Sequence, residues 1–392
     1  MKKIIILLTC ICCFFTFFVG CSNDNSGSSS QAKTDETMFT SADLENGYGT
    51  TQAEVVISLN GNTATCSSTT NYVKLGTGYV IISGGGLYVL TGSSENLIVY
   101  VQADKSLDKV KLVFRNLTMS HSSFAPIYVK SANKTFIYTE GENHISTTGA
   151  FVQKDTNNVD GAIFSKDDLC IKGSGVLNVT DNYGHGIVAK DDLKIVNTNV
   201  IVSCSGHGID ANDSVRIKGA YVSIVSGEDG IKVENVDYTN LGFFYMSSGN
   251  VSITASHDGI DCSESFYVLG GEFKIVAGDS GVKNTEVASK NAIKATTSVT
   301  IKGGNFLLYS SEKSIKASKS TISGATILAF SADETNFISS AISFSYSEVK
   351  QGLVEYKITL AGNDVLSFTP EYNFYNVTYY NSDISGEGFT LV

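Results

Sequence analysis

Five carboxylates stand where they could grip a cation. Asp210, Glu228, Asp229, Asp258 and Asp261 each flank a Gly-Ile pair, at Gly208-Ile209, Gly230-Ile231 or Gly259-Ile260. Carboxylates brought within a few ångströms of one another repel unless something positive sits between them. Ca²⁺ suits such a set, because it takes about six to eight oxygens in irregular geometry. The expected chemistry is calcium binding, with Asp210, Glu228 and Asp229 as one site and Asp258 with Asp261 as part of another. The plainer alternative is a solvated acidic corner partly offset by Lys232. Zinc at His185 and His207 is the weaker idea, since two stacked imidazoles do not complete a tetrahedral set.

These residues meet only if the chain stacks on itself, and an internal repeat says that it does. The Gly-Ile turn recurs at Gly186, Gly208, Gly230 and Gly259, and in altered form at Ala292-Ile293 and Ser314-Ile315. The intervals are 22, 22, 29, 33 and 22 residues, the longer ones holding insertions. An earlier copy is "DGAIFSKDDLCIKG" at 160–173. Each unit carries short stretches such as "SVRIKG" and "YVSIVS", which alternate apolar and polar residues and read as strands. No stretch of the mature chain carries a helical period. A unit of this size cannot bury its inward side chains alone, but stacked neighbours can. The fold predicted is all-β, a parallel β-helix over residues 51–330 with coils of about 22 residues. Adjacent coils then sit ~4.8 Å apart. A sandwich has no reason to repeat one turn in register.

Stacking converts the repeat into columns. The residue after the isoleucine gives Val188, Asp210, Lys232, Asp261, Lys294 and Lys316. The residue before the glycine gives His185, His207, Asp229, Asp258, Asn291 and Lys313. Charge divides along the axis, with acids dominant over 204–264 and Lys290, Lys294, Lys302, Lys313, Lys316 and Lys319 over 290–319. Lys290, Lys294, Lys313 and Lys316 are the candidates for holding an anionic polysaccharide. Surface lysines separating sheet edges are the bland alternative. A second acidic run, Asp167-Asp168, Asp191-Asp192, Asp213 and Glu264, reads as solvated turns.

The ends differ from the middle. Residues 1–20 read as a signal peptide, with Lys2-Lys3 ahead of "IIILLTCICCFFTFFV". Val19-Gly20-Cys21 resembles a lipoprotein box, so Cys21 is the expected lipidation site; a plain secretory signal is the alternative. Residues 21–50 read as a Ser-rich tether, disordered at its start. Residues 331–392 read as a small antiparallel β module or cap, with Gly362-Asn363 as a turn. Cys66, Cys170, Cys204 and Cys262 show no paired spacing and read as mostly buried thiols. The net charge of −11 argues against nucleic acid as a partner.

"YVLTGSSENLIVYVQAD", "VKLVFRNLTMSHSSFAPIYVKSANKTFIYTEGENHIS", the HGID/DGIK/DGID series and "VLSFTPEYNFYNV" together resemble a family of bacterial carbohydrate-binding β-helix proteins. The resemblance covers roughly residues 70–390. It implies a right-handed parallel β-helix like that of pectate lyases, bound Ca²⁺, and affinity for cellulose-like and polygalacturonate-like polymers. Lys232, Lys294 and Lys316 depart from it, replacing an Asp found in many family corners.

Three functions follow. The favoured one is a monomeric, lipid-anchored, calcium-dependent polysaccharide-binding protein, exported to the cell surface or periplasm and without catalytic activity. The second is a pectate-type lyase. It would remove a proton α to a uronate carboxylate, with Lys232 as the candidate base. Flanking carboxylates favour the charged form of Lys232, the wrong direction for a base. The third is an adhesive or structural rod. With 0 Trp, a neutral glucan would have to use Tyr and Phe faces.

Overall fold

The computed structural model describes residues 33–49, 53–278, 288–333, 337, 339–384 and 386–392. The signal segment and Cys21 lie outside the described residues.

Stacked coils build the body of the unit Thr34–Val392. One coil shows the plan. The strand Ile209–Ala211 is followed by the long strand Ser214–Ser226, which covers two faces in one run and bends at Gly219, where φ is +63°. The short strands of successive coils line up in an 11-stranded sheet, and the longer ones join a 20-stranded sheet. Pairing between coils is parallel, so equivalent side chains stack. Ile187, Ile209, Ile231, Ile260, Ile293 and Ile315 form one inward column, and all are buried. Val200, Val222, Val251, Phe273, Phe306 and Ile327 form another. Within it the rings of Phe273 and Phe306 stack at 4.5 Å. The alternation seen in the sequence is therefore the in-and-out pleat of each strand.

The corner glycines are required by closeness. None of Gly186, Gly208, Gly230 and Gly259 has positive φ. A Cβ on Gly208 would lie 2.3 Å from Ile224 Cγ2 and 2.6 Å from the carbonyl oxygen of Gly230.

Both ends of the stack are closed, as sheet edges must be. At the start, Val55–Gly61 pairs antiparallel with Thr63–Cys66, and Val73–Gly76 with Tyr79–Ile82. At the other end, Phe374–Asn381 runs antiparallel along Ala325–Ser331, the last coil strand. A separate three-stranded antiparallel sheet follows, from Tyr356–Leu360, Asn363–Phe368 and Phe389–Leu391. Its hairpin turn is Ala361-Gly362, one position earlier than expected, with φ of +51° and +83°. Cys66, Cys170, Cys204 and Cys262 form no disulfide among the described residues; Cys170 and Cys262 are buried.

The tether expected over 21–50 does not run free to its end. Residues 35–48 form a strap along an outer face of the coils. Two four-residue helices, α1 (Asp35–Met38) and α2 (Ser41–Leu44), lie within it. They are too short to show a helical period. Phe39 packs with Val113, Phe136, Tyr138, Val196 and Tyr245, an apolar cluster outside the central core. Asp43 is fully buried and pairs with Lys134 and Lys194. Lys172 Nζ donates to the carbonyls of Ala42, Asp43 and Glu45. A polar strap held over a cationic, apolar face is ordered by burial.

Candidate functional site

The corner strands place the predicted acids and lysines. In Ile209–Ala211 the outer residues point inward and the middle one remains partly exposed, and later coils repeat this. The middle residues form the expected column, Val188, Asp210, Lys232, Asp261, Lys294 and Lys316, each in register with the next. Its acids are already matched by cations. Lys190 Nζ donates to Asp210 at 2.8 Å. Lys294 Nζ donates to Asp261 at 2.7 Å and to Asp258 at 3.1 Å. Lys232 reaches Glu234 at 2.9 Å.

The column before the glycine does other work. His185 Nδ1 accepts the N–H of His207 at 2.8 Å, and His207 Nδ1 that of Asp229 at 3.2 Å. Asp229 accepts the N–H of Asp258 at 2.9 Å, and Asp258 that of Asn291 at 2.6 Å. Asn291 Oδ1 then accepts the N–H of Lys313 at 3.3 Å. His, Asp and Asn share one property here: an acceptor two bonds beyond Cβ. Each satisfies a backbone N–H of the next coil, which burial would otherwise leave unpaired.

This ladder decides the zinc question. Ligand atoms of His185, His207 and Glu228 lie within 4.8 Å of one another, and the two rings stack with centroids 4.8 Å apart. Because each Nδ1 accepts a backbone N–H, the hydrogen-bond network assigns the ring proton to Nε2. Nε2 then has no lone pair for a metal. His207 Nε2 instead lies 3.1 Å from Glu228. Burial first, then its histidine neighbour, pushes the His207 pKa down to about 4, so the ring is neutral.

Asp210, Glu228 and Asp229 are engaged separately, the first by Lys190 and the others beside His207. Asp229 has its pKa raised to about 7, by burial and then by Asp258 and Asp261. Asp258, Asp261 and Lys294 make a closed cluster in which the ammonium holds the place expected for an ion. Lys294 stays protonated: burial opposes its charge, but the two aspartates outweigh it. The donor set of this corner therefore leaves little for calcium to satisfy.

The second acidic run is not simply solvated. Asp167 is buried, accepting the N–H of Ala132 at 3.0 Å and pairing with Lys105. Asp192 receives Arg216 and the Ser214 hydroxyl. Asp191 is pushed up to about 7, by burial and then by Asp168 and Asp213.

Of the lysines expected to hold polysaccharide, Lys290 is buried at 3% exposure and Lys294 is held by its two aspartates. Lys313 and Lys316 are exposed, as is Lys319. A cleft of about 120 Å³ lies between Lys232, Glu234, Asp261, Lys294 and Thr296. As a base Lys232 is poorly placed. Burial lowers its pKa, but Glu234, Asp210 and Asp229 outweigh that and raise it.

Comparison with known proteins agrees with this architecture. A carbohydrate-binding domain-containing protein of Acetivibrio thermocellus is 35% identical over 208 residues, spanning 52% of this chain and 72% of that protein. The solved structure of a polysaccharide lyase-like protein from C. thermocellum, a gadolinium derivative, superposes with a TM-score of 0.56 at 25% identity. It covers 70% of this chain and 97% of its own. The family model for carbohydrate-binding domain-containing proteins matches residues 76–335. That span takes in the whole corner column, and the chain belongs to this carbohydrate-binding domain family.

Proposed function

We propose that the protein is a non-catalytic polysaccharide-binding rod. On this reading it is exported, anchored through a lipid on Cys21, and directed to an acidic, uronate-type polymer with calcium as its cofactor. The observation that carries the choice of polymer is the sign change along the corner. Asp210, Asp258 and Asp261 are matched by lysines, while Lys316, which ends the column, and Lys313 and Lys319 of the same coil are exposed. Exposed cations grouped on one coil suit an anionic polymer. Membership of the carbohydrate-binding family supports the class of ligand, and the charged Lys232 supports binding over β-elimination.

The test is a titration of residues 22–392 with polygalacturonate and, separately, with a neutral β-glucan. Near-ultraviolet absorbance is followed throughout. Saturable binding of polygalacturonate that weakens with salt, with no new absorbance, is the expected result. Rising absorbance would make the protein a lyase. Binding of the glucan alone would move the site away from the lysines.

A further inference from the structure

A cavity of about 280 Å³ lies between the strap and the coils beneath it. Tyr48 of the strap and Tyr138 of the coils form its aromatic wall, with their rings edge to face and centroids 5.5 Å apart. Glu45, Asn46, Ser174 and Asn197 line it with exposed side chains. None of these four side chains makes a hydrogen bond or ion pair with another described residue. An apolar wall with a few polar groups around it is the usual make-up of a small-molecule pocket, and ~300 Å³ is the lower end of the volumes such pockets have.

The charges around the cavity select against an acid. Lys172 is the one cation among the lining residues. Its Nζ already donates to the carbonyls of Ala42, Asp43 and Glu45. That uses every donor an ammonium has. Glu140, also in the lining, is matched by Arg115 at 2.6 Å, whereas Glu45 has no cation of its own. A uronate carboxylate would enter beside Glu45 with nothing to pair it, and leaving water unpaired is costly for a charge.

We propose that this cavity binds the end of a neutral saccharide. A sugar ring has apolar C–H faces that pack on aromatic side chains such as Tyr48 and Tyr138. Its hydroxyls both donate and accept. The Asn46 and Asn197 amides do the same, and Glu45 accepts. The enclosed volume suits a chain end rather than the flank of a polymer. The span that matches the carbohydrate-binding family, residues 76–335, takes in Tyr138, Ser174 and Asn197 but not Glu45, Asn46 or Tyr48. The strap therefore completes a site from outside that span. The proposal rests on membership of the family and goes beyond the uronate reading. It gives the chain two sites of opposite demand, one for an anion at the exposed lysines and one for an uncharged end here.

The experiment is saturation-transfer NMR and calorimetry on residues 22–392. The probes are neutral methyl glycosides of glucose, galactose, xylose and mannose, with methyl galacturonoside as the charged control. At least one neutral glycoside is expected to bind saturably and the galacturonoside to bind far more weakly. Tyr48→Ala removes half the aromatic wall but also the bond to Arg115, so it can loosen the strap. Ser174→Trp, at an exposed position, closes the cavity with the strap in place. Asn197→Gly removes one amide and suits the backbone, whose φ there is +48°. Binding is expected to be lost in Ser174→Trp, weakened several-fold in Asn197→Gly and unchanged in Lys313→Glu with Lys316→Glu. That last comparison keeps the two sites apart, because loss of polygalacturonate binding alone leaves the cavity standing. A parent chain that takes up no neutral glycoside at high millimolar concentration overturns the proposal. So does binding that survives Ser174→Trp, that disappears with the lysine changes, or that is matched by the galacturonoside.

Discussion

The Asp43 carboxylate lies 2.5 Å from the Lys134 ammonium across 91 positions of chain, and neither group is more than marginally exposed. Lys194 approaches the same carboxylate at 3.2 Å. One acid from the strap therefore neutralises two lysines from separate coils. Removing it leaves buried charge without a partner, a loss that runs to ~3–5 kcal/mol. Asp43→Asn is expected to lower stability by about that amount in urea unfolding. Adding Lys134→Met should restore part of it. Burial alone would raise the Asp43 pKa, but Lys134 and Lys194 outweigh it and hold the carboxyl well below the usual range. Its contribution is thus present above about pH 4 and fades only as pH falls through that depressed pKa.

Lys294 is expected to matter more for folding than for polymer binding. Lys294→Met strips the counter-charge from Asp258, which is 1% exposed, and from Asp261. A loss of ~3 kcal/mol is expected, and a second change, Asp258→Asn, should recover part of it. Chemical denaturation of the two single variants and the double variant reads the coupling directly.

Lys313→Glu with Lys316→Glu should do the opposite. Both positions are exposed, so stability should hardly change. Affinity for polygalacturonate should fall several-fold, and its dependence on salt should flatten. Unchanged affinity would remove the lysines from the binding surface.

Stability in chelator should decline as pH rises. Asp191 and Asp229 are each held near 7, both chiefly by burial. Their unfolded values are ~4. Between these limits the folded chain binds more protons than the unfolded chain, so deprotonation favours unfolding. The contribution is complete below about pH 4 and lost as pH climbs through 7. Tm measured from pH 4 to 8 should show this slope, and Asp191→Asn should make it shallower.

Gly208→Ala tests the corner itself. Its methyl group would collide with Ile224 and with the Gly230 carbonyl. Overpacking of this kind costs ~1–3 kcal/mol. The later corners tolerate Ala292 and Ser314 in the equivalent slot, so the loss should come from local crowding rather than from backbone strain. Thermal unfolding of Gly208→Ala beside Ala292→Gly would separate the two.

The coil register was legible because a repeat of 22 residues must superpose its inward isoleucines, and the column from Val188 to Lys316 followed from that. What fills the space between column members was not legible. Spacing put Asp258 and Asp261 together, but whether calcium or Lys294 stands between them depends on how far a flexible side chain reaches. The His185 and His207 pair was visible as a stack; its use as backbone acceptors was not, because that depends on ring orientation. The strap was hidden for another reason. Its partners lie between 63 and 210 positions away, and four-residue helices leave no period to read.

The strap also runs against the direction in which the coils accumulate. Asp35 meets Lys218 and Tyr245, Met38 meets Arg216, and Tyr48 meets Lys111 and Arg115. Residue 34 therefore leaves from the flank of the rod, near the coil of Tyr245, and not from its first coil. A pull on that point along the axis would shear all these contacts together, whereas a pull away from the face would peel them one at a time, beginning with Asp35. Under tension the protein should hold far better in one orientation than in the other.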